Sequence, residues 1–224
     1  MKKNEILQKD VQDAIKWEPS LKSTQIGVIV LDGVVTLTGT VDTYAKKVEA
    51  ENAAKNVAGV KAVVEEIKVK FEGANHVTSD QEIASNIVSA FKWNWDVPND
   101  CIKIKVEDGW VTLDGEVQLN YQKVAAKKAI INLVGVKSVI NNITVENESV
   151  DNVEKADIEK AISLNWSVSN QDIVVSVTAN RVTLNGSVAS LYQKEEAGRI
   201  AWNAPGVWSV QNDIEIEYDR LRFN

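Results

Sequence analysis

Cysteine and histidine are almost missing from this chain: Cys101 and His76 are the only ones among 224 residues. One cysteine excludes an internal disulfide, and one histidine excludes a multi-histidine metal site. The usual base of a Ser-His-Asp or Cys-His arrangement is therefore scarce as well. His76 sits in a polar stretch and reads as a solvated spacer. Carboxylates are plentiful, yet Glu65-Glu66 and Glu195-Glu196 share no common register, which argues against a glycosidase-like acid/base pair. Neither a Gly-x-Gly-x-x-Gly nor a Gly-Lys-Ser/Thr loop is present to cradle a nucleotide phosphate. These absences predict a non-enzymatic protein with no catalytic residue, metal or cofactor.

Positive charge is also short. Twenty-five Lys and Arg face 32 Asp and Glu, for a formal net charge of −7. A phosphate backbone is bound chiefly through cations that displace counterions, so nucleic acid is not an expected partner. The same sign argues against purely electrostatic attraction to anionic lipid. No run approaches the roughly 20 apolar residues of a membrane span, so an integral membrane protein is not expected. Residues 1–10 lack the apolar segment and small-residue cleavage site of an export signal. That predicts a cytoplasmic location, or a periplasmic one if a signal has been removed from the chain.

What the sequence does contain is repetition. Val35-Thr36-Leu37-Thr38-Gly39-Thr40-Val41 recurs as Val111-Thr112-Leu113-Asp114-Gly115-Glu116-Val117 and as Val182-Thr183-Leu184-Asn185-Gly186-Ser187-Val188. The offsets, 76 residues from Gly39 to Gly115 and 71 from Gly115 to Gly186, also superpose Gly59-Val60, Gly135-Val136 and Gly206-Val207. Ile67, Ile143 and Ile214 coincide too, as do Ala14, Ala90 and Ala161. Cys101 aligns with Gln25 and Asp172, which marks it as an outward-facing residue at a strand start.

Each copy opens on helical spacing, such as Leu7, Val11, Ala14 and Ile15, or Ile83, Ile87, Ala90 and Phe91; the third keeps Ile158, Ala161 and Ile162. Two alternating runs follow, joined at Asp32-Gly33 or Asp108-Gly109, dipeptides suited to a tight hairpin. The third copy has Ala179-Asn180, with Asn expected to take the glycine's role. A second helix, from about Asp42 to Ala58 in the first copy, ends at Gly59, Gly135 or Gly206. The last strand is expected over 62–70, 138–145 or 209–217. The fold class is thus α+β: three tandem α-β-β-α-β modules over 1–72, 77–147 and 150–219. Each is expected to be a three-stranded mixed sheet, its hairpin antiparallel and its strand-helix-strand step parallel, with two helices packed on one face. Polar linkers, 72–76 and 146–149, separate them. A module of about 70 residues is near the lower limit for a self-sufficient core, which points to packing between copies or to a homo-oligomer.

The element order, the Val-Thr-Leu-x-Gly-x-Val motif and the Gly-Val-x-x-Val-x-Asn-x-Ile ending of 135–143 and 206–214 resemble the BON domain of bacterial osmotically inducible and nodulation-related proteins. The first copy departs from it by placing Glu65 where the others have Asn141 and Asn212. The resemblance implies a stress-associated, non-catalytic binding protein that contacts phospholipid surfaces or protein partners, often in the periplasm. The alternative is a protein-protein scaffold or chaperone-like factor that does not touch lipid.

Two recurrent features are candidate contact sites. Lys47, Lys123 and Lys194 share one position early in the second helix, where a cation and helix-end amides could hold an anionic headgroup. The plainer role is a solvent-facing lysine with its stem packed on the helix. Seven tryptophans are the other feature: Trp17 aligns with Trp93 and Trp95 with Trp166, just after the first helix, and Trp17 and Trp93 fall off its apolar stripe. Such rings could rest at a membrane interface or in a protein groove; the commoner use of tryptophan is to cap a small core or to pack between modules.

Overall fold

The computed structural model describes residues 3–22, 25–71, 78–146, 153–169 and 172–217. His76 and most of both linkers lie outside the described residues. The first module runs α1 (Asn4–Trp17), β1 (Gln25–Leu31), β2 (Val34–Val41), α2 (Tyr44–Lys55) and β3 (Ala62–Val69). The second runs α3 (Asp80–Lys92), β4 (Ile102–Glu107), β5 (Trp110–Val117), α4 (Asn120–Ile130), β6 (Ser138–Asn141) and β7 (Thr144–Val145). The third runs α5 (Lys155–Leu164), β8 (Asp172–Thr178), β9 (Arg181–Val188), α6 (Leu191–Trp202), β10 (Ser209–Asn212) and β11 (Glu215–Ile216). The α+β class and the tandem α-β-β-α-β modules are as the repeat predicts.

The motif strand is central in every sheet. β4 pairs antiparallel with β5, and β6 and β7 pair parallel with it; β8, β9, β10 and β11 repeat that arrangement. Alternation then sends Val35, Leu37 and Val41, Val111, Leu113 and Val117, and Val182, Leu184 and Val188 into the cores. In the second module they meet Ile83, Ile87 and Phe91 of α3 and Ala126 and Ile130 of α4. The opposite face, carrying Lys103, Lys105 and Trp110, is exposed.

The motif glycine is dictated by close approach. Gly39, Gly115 and Gly186 hold φ of 129°, 140° and 123°. A Cβ there would overlap the carbonyl oxygens of Gln25, Cys101 and Asp172 on the neighbouring strand.

The first two hairpins are tied to their modules' first helices. The Asp80 carboxylate accepts from the Asp108 and Gly109 amides at 2.8 and 2.9 Å, and Asn4 Oδ1 accepts from the Asp32 amide at 3.1 Å. Asp32 and Gly33, like Asp108 and Gly109, both have positive φ. The third hairpin corrects the sequence reading: Ala179, not Asn180, takes the positive φ, 54°. Asn180 instead donates its side-chain amide to the Gly206 carbonyl at 2.6 Å.

The last strand also differs from expectation, running unbroken only in the first module. In the others Asn141 Oδ1 and Asn212 Oδ1 accept from the amides two residues on, Ile143 and Ile214, at 3.3 and 3.4 Å. This local turn competes with the ladder. Their Nδ2 groups donate to the Lys123 and Lys194 carbonyls at 2.9 and 2.7 Å, stitching strand to helix.

The chain divides into two compact units whose boundary cuts across the first module. One contains Met1–Gly39, Glu49–Ile67 and Ser149–Asn224; the other contains Thr40–Val48 and Lys68–Glu148.

Candidate functional site: exposed apolar tips

The candidate site grows from helical geometry. Along α1, Leu7, Val11 and Ile15 are buried; along α3, Ile83, Ile87 and Phe91; along α5, Ile158 and Ile162. A residue two positions beyond the last buried one is rotated about 200° away from the core. In all three modules that position carries a large apolar side chain: Trp17 is 82% exposed, Trp93 85% and Leu164 76%. Two residues further stand exposed Pro19, Trp95 and Trp166. Two more bring Leu21, Val97 and Val168, all buried again. The chain thus lifts out of the core, presents one or two apolar groups, and is anchored on both sides.

Local hydrogen bonds shape the tips. Asn94 Oδ1 accepts from the Asp96 amide at 3.1 Å, and Asn165 Oδ1 accepts from the Ser167 amide at 3.0 Å and its hydroxyl at 2.6 Å. Gln193 Nε2 donates to the Ser167 carbonyl at 2.8 Å, fastening the third tip to α6. Where α1 ends, a groove of about 380 Å³ is lined by Ile15, Lys16, Leu21, Lys22 and Ile26, among others. Lys16 lies 3.8 Å from Asp13, both largely exposed, so this ion pair is weak.

Trp17, Trp93, Trp95 and Trp166 therefore all point outward. Leu164 belongs with them and was missed because it is not a tryptophan; the 71-residue offset from Trp93 was the signal that could have found it. The other tryptophans are elsewhere: Trp110 opens the central strand β5 and Trp208 directly precedes β10, both about half exposed, while Trp202 packs partly against the third core.

Lys47, Lys123 and Lys194 are each the fourth residue of the second helix and half-buried. First-turn amides near two of them are already occupied: Thr43 Oγ1 accepts from the Lys46 amide, and Ser190 Oγ from the Gln193 amide, both at 3.3 Å. At the start of α2, Asp42 sits 2.8 Å from Lys46, whose hydrogen bond holds its carboxyl below the usual range despite the opposing effect of burial. Anion capture here would compete with built-in caps and a carboxylate. Cys101 is exposed, and among the described residues no cluster of three His, Cys, Asp or Glu could hold a metal ion.

Comparison with known proteins agrees with this architecture. The BON domain model matches at residues 3–70, 79–147 and 151–218. Over 136 residues the chain is 32% identical to osmotically-inducible protein Y of Escherichia coli K12, covering 59% of this chain and 68% of that protein. Two structures of CdsD, a structural protein of the type III secretion system of Chlamydia trachomatis, one of them its C-terminal domain, align over 97% of the chain. They cover 95% and 100% of those chains at 15% identity, with TM-scores of 0.25, too low to bear on fold or function. Three family matches in the order of the three modules, with a relative induced by osmotic stress, place this chain in the BON domain family.

Proposed function

We propose that this protein is a non-catalytic, peripheral phospholipid-surface binder that touches the membrane with the tips of its modules. The observation that carries the reading is a large apolar side chain at Trp17, Trp93 and Leu164, exposed at the same place in all three copies. A core has no use for such a group. The interfacial zone of a bilayer suits an indole or a leucine, and a buried tryptophan removes about 150–250 Å² from water, worth roughly 4–6 kcal/mol before ordering costs. No helix among the described residues is long and apolar enough to cross a membrane, so contact is at the surface. The tips require neither a catalytic group nor a cofactor. The reading holds on either face of a membrane.

The test is co-sedimentation with phosphatidylcholine vesicles, with and without phosphatidylglycerol. Combined Trp17→Ala, Trp93→Ala, Trp95→Ala, Leu164→Ala and Trp166→Ala substitutions should lower binding at least tenfold while leaving the melting profile in place. Lys47→Ala, Lys123→Ala and Lys194→Ala together probe a headgroup contribution from the second helix. Native protein that ignores both vesicle types contradicts the proposal.

A protein-protein scaffold is the second reading, favoured by one observation. The outer sheet face of the first module exposes Ile29, Leu31, Val34 and Val64, where the second module has Lys105, Glu107, Trp110 and Ile140. Absence of vesicle binding together with a stoichiometric protein complex would favour it.

A further inference from the structure

The second helix of each module has two ends that meet neighbours differently. One, the head, comprises the end of the motif strand, the first turns of the helix and the end of the last strand. The other, the tail, is the helix C-terminus and its following glycine. In the unit containing the second module, Tyr44 of the first module's head is buried, and Val48 and Val69 pack partly, in a core cluster that also takes in Ile131 and Leu133 of the second module's tail. In the other unit, the first module's tail meets the third module's head: the Gly59 amide donates to the Ala189 carbonyl at 2.9 Å. Lys55 Nζ lies 2.8 Å from Glu195 and 2.7 Å from Glu51.

The two arrangements are alike in grouping one module's tail with another's head. By the repeat offsets Val48 corresponds to Glu195, and Ile131 to Lys55. One contact is apolar and the other ionic, but both bring a tail to a head.

Among the described residues, the second module's head presents a cavity to a partner. This cavity, of about 580 Å³, is lined by Pro98, Cys101, Glu116, Val117, Gln118, Gln122 and Glu146, and Leu119 and Tyr121 stand exposed beside it. The third module's tail ends in half-buried Trp202, at the position of Lys55 and Ile131, followed by exposed Pro205. We infer that this head receives the third module's tail from a second copy of the chain, continuing the tail-to-head arrangement already used twice within it. Such an interface is heterologous, so copies add head to tail and assembly passes beyond two unless the series closes into a ring.

Sedimentation velocity of the full chain over a wide concentration range tests this. The native mass should rise with concentration past that of two chains. Tyr121→Glu on the head and Pro205→Glu on the tail alter exposed side chains, so each variant should melt as the native protein does yet sediment as a single chain. Mixed in equal amounts, they retain one working tail and one working head, and should give a species of twice the monomer mass and none larger. A native chain that stays monomeric throughout overturns the inference. So does either variant assembling like the native protein, or the mixture remaining monomeric.

Discussion

The first module and its two successors share a central strand but differ in the last one. β3 runs unbroken over eight residues with Glu65 in it, whereas Asn141 and Asn212 interrupt the equivalent strand after four. The register does not slip: Leu113 pairs with Asn141 and Glu116 with Thr144, so no residue is inserted. A short polar side chain that can accept from the amide two residues on makes a local turn, and a longer glutamate does not. What is common to all three modules is therefore steric, and what varies is local hydrogen bonding.

This contrast can be broken from the common end first. Gly115→Ala would force a Cβ against the Cys101 carbonyl at a φ of 140°, and should destabilise the second module by on the order of 3 kcal/mol or more. Hydrogen exchange resolved by module should show the loss concentrated there. Asn141→Ala removes the bond to Lys123 and leaves the Ile143 amide without its acceptor, costing about 1–3 kcal/mol. Glu65→Ala, by contrast, should leave the β3 amides about as protected as before, because the strand already runs unbroken through that position.

Smaller effects sharpen the comparison at features private to one module. Ala179→Gly should stabilise the third hairpin by about 1 kcal/mol, seen as a raised melting temperature, since alanine holds a left-handed φ there. Lys55→Ala should cost about 1 kcal/mol at low ionic strength and less in high salt, because Glu195 is half exposed. Burial alone would lower the Lys55 pKa, but hydrogen bonds from its ammonium to Glu195 and Glu51 outweigh it and hold it above the ordinary value. Its contribution is therefore whole below the unfolded lysine pKa and is lost only as pH rises through the folded one. A neutral-pH melting series should show no titration from this group.

The architecture was legible because the period repeats the buried letters: Val111, Leu113, Ile143 and their counterparts recur for packing. The tips were half legible. Trp17 and Trp93 announce themselves off the apolar stripe, but Leu164 does so only through its offset. The interrupted strand is not legible even with Asn141 and Asn212 in view, because a short side-chain turn leaves no mark on hydrophobic alternation. The Ala179 turn failed because the bond from Asn180 to Gly206 spans 26 residues. The two tail-to-head contacts were invisible because equivalent positions carry unlike chemistry, Lys55 against Ile131 and Glu195 against Val48.

The most direct measurement is quenching of tryptophan fluorescence by vesicles whose lipids carry bromine on the upper acyl chain. The exposed tips predict strong quenching with a blue-shifted emission in the native chain, and little of either once Trp17, Trp93, Trp95 and Trp166 are replaced by alanine. Equal quenching in both proteins, or none in the native one, would contradict the membrane-contacting role.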